Sequence, residues 1–319
     1  MATLILNKTE VLQLMTMPGV IDVVEQAFRD WSGGRGEMPP KAYITVEKGD
    51  FRAMPAALPG AAGMKWVNVH PSNRGSGLPS VMALIIYSDT ATGYPLAIMD
   101  ATDITAYRTG ATAAIAAKYL AKKRSSSLGI IGAGKQAETQ ILAHAALFQL
   151  REIRVYDIRP DAILKLQQSL PQFTLTSTTI EAALECDIIC TLTPAHTPVV
   201  KKEWVRPGTH INAVGADAEG KQELDPEILH SSRVVVDDFR QAIHAGEINV
   251  PISKGVYNKD QVYASLGEII TGQKPGRTSR EQVTIFDSTG VAIEDIATAK
   301  MVYDMAMKQH IGKTIDILG

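Results

Sequence analysis

A short apolar run, Leu128 to Ile131, leads straight into Gly132, Gly134 and Ala137 at G-x-G-x-x-A spacing, and then into a helical stretch through Leu147. The run reads as a buried strand. Gly132 permits the tight turn, Gly134 lets the backbone approach a pyrophosphate, and Ala137 keeps the helix close to the strand. N–H groups at the helix start then meet phosphate charge. A second strand, Ile153 to Tyr156, ends in Asp157, 25 residues beyond Gly132. That is near the ~20-residue separation at which a carboxylate holds an adenosine ribose. A glycine triplet alone could mark a plain strand–turn–helix corner with an ordinary strand-end aspartate. With the strand before it, the helix after it and the acid beyond, it predicts dinucleotide binding.

The rest of the pattern alternates around this motif. Helices at 135–147, 160–169 and 179–185 are interleaved with strands at 128–131, 153–157, near Phe173 and at 187–191. Further strands fall at Thr209–Val214, Val234–Asp237 and Thr284–Phe286. Such alternation predicts a Rossmann-type, doubly wound parallel sheet of α/β class, placed at 112–288 as the NAD-binding domain. Residues 1–111 read differently. After a strand at Thr3–Leu6, Val20, Val23, Val24, Ala27, Phe28 and Trp31 recur at helical spacing, so a helix spans about 18–32. Strand candidates Ala42–Val46, Phe51–Pro55, Gly63–Val69, Val81–Tyr87 and Leu96–Met99 follow, with Glu47–Asp50 and Asp89–Pro95 as hairpin turns. This predicts an α+β domain with a mostly antiparallel sheet, expected to pair two copies of the chain. Its Val/Ile/Met-rich faces exceed what one helix covers, and uncovered apolar sheet is normally buried against a partner. An Ala-rich helix from Thr102 to Lys123 follows, and a last helix near 290–309 joins 289–319 to the first domain. Gly272–Arg280 is the one flexible-looking segment.

Composition narrows the function. At 319 residues there is room for two full cores, and 21% charged with 45% apolar residues is ordinary for a globular protein. A formal net charge of −2 argues against nucleic acid or an anionic membrane as partner. No run of ~18 apolar residues offers a membrane span, and the first residues lack a signal-peptide pattern, so a cytoplasmic location is expected. The histidines show no ligand spacing, so no metal is expected. Cys186 and Cys190, read on one strand, would face the same side and stay reduced and buried. Lys122-Lys123-Arg124 reads as the solvated end of a helix.

Several residues look chemical. Lys65 lies in the strand Gly-Met-Lys-Trp-Val-Asn-Val-His, sharing a face with Val67 and Val69. It either snorkels at an edge or sits in a cleft, where burial would lower its pKa toward that of a general acid/base. Arg52 and Lys41 are cations in strand contexts. They are either half-exposed surface charge or a grip for the carboxylate of a small amino or keto acid. Asp217 follows a buried strand, where doubly wound sheets bind ligands, though an ordinary loop aspartate or helix cap would look the same.

The segments Phe51-Arg-Ala-Met-Pro, Met64-Lys-Trp-Val-Asn, Arg108-Thr-Gly-Ala, Gly132-Ala-Gly-Lys-Gln-Ala, Gly215-Ala-Asp, Gly220-Lys-Gln-Glu-Leu and Phe286-Asp-Ser-Thr-Gly occur in that order. Over essentially the whole chain the set resembles the ornithine cyclodeaminase/mu-crystallin family, most of all its archaeal, alanine-oxidising branch. The resemblance implies a homodimer that uses NAD to deaminate L-alanine reversibly to pyruvate and ammonium. Lys65 would be the catalytic acid/base and Asp217 its partner carboxylate. Arg52, with Lys41, would hold the substrate carboxylate. Arg108, with Thr109 beside it, would reach the pyrophosphate, which Lys135 and Gln136 would cap at the glycine turn. Asp157, flanked by Ile158 and Arg159, would hold the adenosine ribose and favour NAD over NADP, with Arg159 softening the preference. Thr191, Val214, Lys221 and Ser288 would line the nicotinamide side. The same family allows an ornithine cyclodeaminase making proline, a reductase of cyclic imines, or a binder without turnover. Retention of Lys65, Arg52 and Asp217 together weighs against the binder.

Overall fold

Turn chemistry and strand periodicity organise a chain that falls into two compact units, residues 1–108 with 291–319, and Thr109–Gly290. The computed structural model describes residues 2–317 and 319, with Arg74 and Ser76 described by backbone alone. Met1 and Leu318, inside the expected segments 1–111 and 289–319, lie outside the described residues.

The first unit opens with β1 (Thr3–Leu6), α1 (Lys8–Leu14), α2 (Met17–Ser32), β2 (Ala42–Val46), β3 (Gly49–Leu58), β4 (Ala61–Val69), β5 (Val81–Ser88) and β6 (Pro95–Asp100). Within α3 (Thr102–Leu120) the chain passes into the second unit. There β7 (Ser127–Ile131), α4 (Lys135–Leu147), β8 (Glu152–Tyr156), α5 (Pro160–Ser169), β9 (Leu175–Ser177), α6 (Ile180–Ala183) and β10 (Ile188–Thr191) alternate. Next come β11 (His210–Ala213), α7 (Pro226–His230), β12 (Ser232–Val236), α8 (Phe239–Ala245), α9 (Asn249–Ser253), β13 (Ala264–Ser265), α10 (Leu266–Ile270) and β14 (Val283–Asp287). Finally α11 (Ala292–Gln309) and β15 (Lys313–Ile315) belong to the first unit again.

Among the described residues the first unit carries one sheet, ordered β15-β1-β6-β5-β4-β3-β2 and antiparallel except where β1 runs parallel to β6. The two-residue turn Glu47-Lys48 closes the first hairpin, with Val46 opposite Gly49. Asp89 closes another by accepting from the N–H groups of Ala91 and Thr92 at 2.8 and 2.7 Å. α11 packs on β3, β4 and β5, and against α2, covering one face of the sheet. Register puts Lys65 on that face between Met54 and Ile85, all three buried. The opposite face is more open. Ile44, Phe51, Trp66, Leu84 and Ile86 share it by register; Ile44, Leu84 and Ile86 are exposed, and Phe51 stacks on Trp66 at 5.5 Å. α1, too short for periodicity to reveal, starts at a capping box in which Asn7 and Glu10 bond each other's backbone.

The second unit holds a sheet whose pairs are all parallel, ordered β13-β12-β14-β11-β10-β7-β8-β9. This is the doubly wound, Rossmann-type sheet expected from the sequence. Both faces are covered, so its strands are continuous apolar runs. Ile130 and Ile188 enter one core, while Ile131 and Ile189 enter the other. Strand order reverses between β7 and β10, which opens a crevice at their C-terminal ends. Below the crevice runs a buried polar ladder. Asn212 Nδ2 donates to His144 Nε2 at 3.1 Å, Asn212 Oδ1 lies 3.1 Å from His210 Nε2, and His210 Nδ1 lies 2.9 Å from Thr284 Oγ1.

Some local expectations give way. β10 begins at Ile188, so Cys186 precedes the strand and packs in the core opposite Cys190; both thiols are free and buried. α3 ends at Leu120, and Lys122 is tied to Asp187 at 2.7 Å instead of capping a solvated helix end. The strand expected near Phe173 forms two residues later, at β9. Gly272–Arg280 is pinned by Arg277, whose guanidinium bonds Leu120 O at 2.7 Å and Thr284 Oγ1 at 3.0 Å. Among the described residues no helix is long and apolar enough to cross a membrane, and no three His, Cys, Asp or Glu side chains are grouped to hold a metal.

Candidate active site

In the first unit, chemistry gathers around Lys65. Its Nζ lies 2.8 Å from the Asp295 carboxylate and 3.4 Å from Thr105 Oγ1, and the side chain is 1% exposed. Asp295 sits in the first turn of α11 beside Glu294, and both are fully buried. Two adjacent carboxylates in an apolar interior require cations. Arg108 is the second of these, with Nη1 2.5 Å from Glu294 Oε2 and Nε 3.0 Å from Asp295 Oδ1. Burial first, and then the Arg108 charge, lower the Lys65 ammonium from 10.5 to about 7 against the pull of Asp295; the Lys41 charge pushes the same way. Arg52 is buried on the Lys65 face, where Asp50 Oδ1 accepts from its Nε at 2.7 Å and its guanidinium lies 5.5 Å from the Tyr43 ring centroid.

The sequence named Lys41, Arg52, Lys65 and Arg108, but it missed the two acids of α11. The carboxylate on Lys65 is that of Asp295, and Asp217 bonds Lys221 Nζ at 2.5 Å. Arg108, expected at a pyrophosphate, bonds Glu294 and Asp295 in its own unit. The signal available was an acidic pair inside the apolar stretch Val291–Ile296.

In the second unit the glycine turn lies at the strand-order reversal. Gly132 has φ +105, a conformation only glycine adopts readily, and its N–H donates to Tyr156 O at 2.8 Å. Gly134 caps α4 without a side-chain bond, and a Cβ there would meet no described atom within 4 Å. Open space in front of a helix start suits a pyrophosphate. Lys135 and Gln136 form the first turn of α4. Asp157 Oδ2 accepts from Ala133 N at 2.7 Å and Oδ1 from Arg159 N at 2.8 Å, so the acid at the end of β8 is fixed at the turn. Next to it Ile158 is 84% exposed, an apolar side chain free to lie under a base. Thr109 is buried in α3. Thr191, Val214 and Ser288 are brought together by main-chain bonds, Val214 N to Thr191 O at 3.0 Å and Ser288 N to Ala213 O at 2.9 Å.

A parallel sheet with this turn at its switch point, joined to an antiparallel unit bearing a buried lysine, defines a Rossmann-type α/β protein with an α+β second unit. The chain belongs to the ornithine cyclodeaminase/mu-crystallin family, whose model matches residues 1–310. It is 52% identical over 317 residues to the alanine dehydrogenase of Archaeoglobus fulgidus, spanning 99% of this chain and 98% of that protein. Among solved structures, an archaeal alanine dehydrogenase dimer with bound NAD superposes with a TM-score of 0.98 at 51% identity, over 100% of both chains. The Δ1-pyrroline-2-carboxylate reductase of Thermococcus litoralis, in complex with NADH and L-proline, gives 0.95 at 38% identity over 98% of this chain and 100% of that one.

Proposed function

We propose that the chain catalyses the NAD-dependent oxidative deamination of L-alanine to pyruvate and ammonium, and the reverse amination. The observation that carries this reading is the fully buried Lys65 amine, lowered to about 7 and set near cations that suit a substrate carboxylate. An amine that titrates near neutrality can both take and give protons. Arg52 and Lys41 hold the carboxylate of the amino acid. Gly132, Gly134, Lys135 and Gln136 receive the pyrophosphate, and Asp157 the adenosine ribose. Bound NAD supplies the acceptor for the Cα hydride. Lys65 then holds or releases the proton at Nζ as water adds at the imine carbon and ammonium leaves, and Asp217 is the second base. The 52% identity to an alanine dehydrogenase supports alanine over ornithine or a cyclic imine.

In the same reading the first unit binds substrate and pairs two copies of the chain through the open apolar face around Trp66 and Leu84. An archaeal alanine dehydrogenase of known structure is a dimer. Cytoplasmic residence accords with the free, buried thiols of Cys186 and Cys190. Incubation with NAD and a panel of amino acids tests the activity. Net NADH with alanine is the expected result. Proline and ammonium from ornithine without net NADH would indicate a cyclodeaminase, turnover only of imines with reduced cofactor a reductase, and affinity without turnover a binder.

A further inference from the structure

Two acids from the family segments, Glu223 in Gly220-Lys-Gln-Glu-Leu and Asp287 in Phe286-Asp-Ser-Thr-Gly, take no part in the reaction above, yet both are fully buried. A buried carboxylate is unfavourable unless donors surround it. Glu223 has four. Its Oε2 accepts from the Thr191 hydroxyl at 2.7 Å and the Gly215 N–H at 2.8 Å, and its Oε1 from the N–H and hydroxyl of Thr193, both at 2.7 Å. These donors lie at the ends of β10 and β11 and in the loops beyond. Only glycine fits at 215, because a Cβ would sit 2.4 Å from Glu223 Oε2 and 2.2 Å from Thr193 O.

The backbone of Glu223 is gripped in turn. Glu247 Oε1 accepts from the N–H groups of Glu223 at 3.0 Å and Leu224 at 2.7 Å. Asp287 accepts from the N–H groups of Glu247 at 2.8 Å and Ile248 at 3.2 Å. Each carboxylate thus fixes the main chain that bears the next. The series starts beside Ser288 and ends on Thr191 and on the residue after Val214, and the family resemblance implies the nicotinamide side for Thr191, Val214 and Ser288. The adenosine end has its own fixation, through the bonds of Asp157 to Ala133 and Arg159.

We infer that Asp287, Glu247 and Glu223 form a positioning relay, in which Glu223 shapes the pocket for the nicotinamide half of the cofactor and leaves the adenosine half unaffected. This rests on the dinucleotide reading of the second unit. Glu223→Gln keeps the size of the side chain but turns an amide toward groups that donate. On the full chain, NADH affinity is read by fluorescence titration and ADP-ribose affinity by calorimetry. NADH binding should weaken by about ten- to a hundred-fold, while ADP-ribose binding stays within about two-fold. Equal losses for both ligands, or an unchanged NADH affinity, overturn the relay. Thr193→Val, which removes one donor and leaves the carboxylate in place, should show the same split with a smaller amplitude, and serves if Glu223→Gln does not fold; an unchanged NADH-to-ADP-ribose ratio there overturns the relay too. A wild-type chain that binds neither ligand sinks the dinucleotide reading and the relay with it. Wild-type binding of both ligands without a split in the variants sinks the relay alone.

Discussion

At the scale of single residues, Lys65 carries the heaviest chemical load. Lys65→Met keeps the stem and removes the amine. If the amine moves protons in the transition state, kcat with saturating alanine and NAD should fall by about 10²–10⁴-fold. NADH affinity, measured separately, should stay unchanged. A rise in KM with kcat kept would reduce Lys65 to a carboxylate grip. Asp295→Asn acts on the same amine from the other side. Asp295 raises the Lys65 pKa, so its removal should lower that pKa further and move the acid limb of kcat/KM to lower pH. A buried pair broken on one side also costs about 3–5 kcal/mol, visible in urea unfolding. Asp157, held at the glycine turn, should favour NAD over NADP, and comparable kcat/KM with NADP would show that Arg159 overrides it. Lys65 was legible in the sequence because a lysine amid apolar strand residues is conspicuous. Asp295 was not, since the pattern around a helix start cannot say which distant strand it meets.

At the scale of elements, the two sheets were legible for different reasons. Strands covered on both faces leave continuous apolar runs such as Leu128–Ile131, and hairpins leave turn signals such as Glu47–Asp50. Short elements such as α1, α9 and β13 escaped because they span too few residues for a period to show. The polar ladder through β11 was equally hidden, as His210 and Asn212 look like ordinary strand residues until α4 brings His144 to them. It has a measurable consequence. Burial lowers His144 from 6.5 to about 4 and His210 to about 3, so the folded chain keeps both neutral. Above the unfolded value the two states bind equal protons and the ladder is pH-neutral. Below it the unfolded chain takes up protons that the folded chain refuses. The contribution of each histidine to stability should therefore fall by about 1.4 kcal/mol per pH unit, until pH reaches that histidine's folded value. Urea unfolding of the unaltered chain and of a His144→Gln variant from pH 7 to 5 isolates one such contribution, and the stability difference between the two should shift against the unaltered chain as pH falls.

At the scale of the whole molecule, self-association and chain order stand out. Leu84 is exposed on the open face of the first sheet, opposite Trp66 in register. Leu84→Glu should give a monomer in sedimentation at micromolar concentration, where the unaltered chain sediments as a dimer, with far-UV circular dichroism unchanged. An unaltered chain that is itself monomeric would rule out pairing through this face. Lys65 and its counter-ion Asp295 are 230 residues apart. At ~5–20 residues per second a ribosome needs roughly 10–50 s to get from one to the other, longer than most small domains take to fold. Through that interval the growing chain has made strands of the first sheet but neither the Asp295 carboxylate nor α11, the cover for that face. The first unit can therefore close its core only after α11 is made, when one helix brings both the cover for that face and the counter-charge for Lys65.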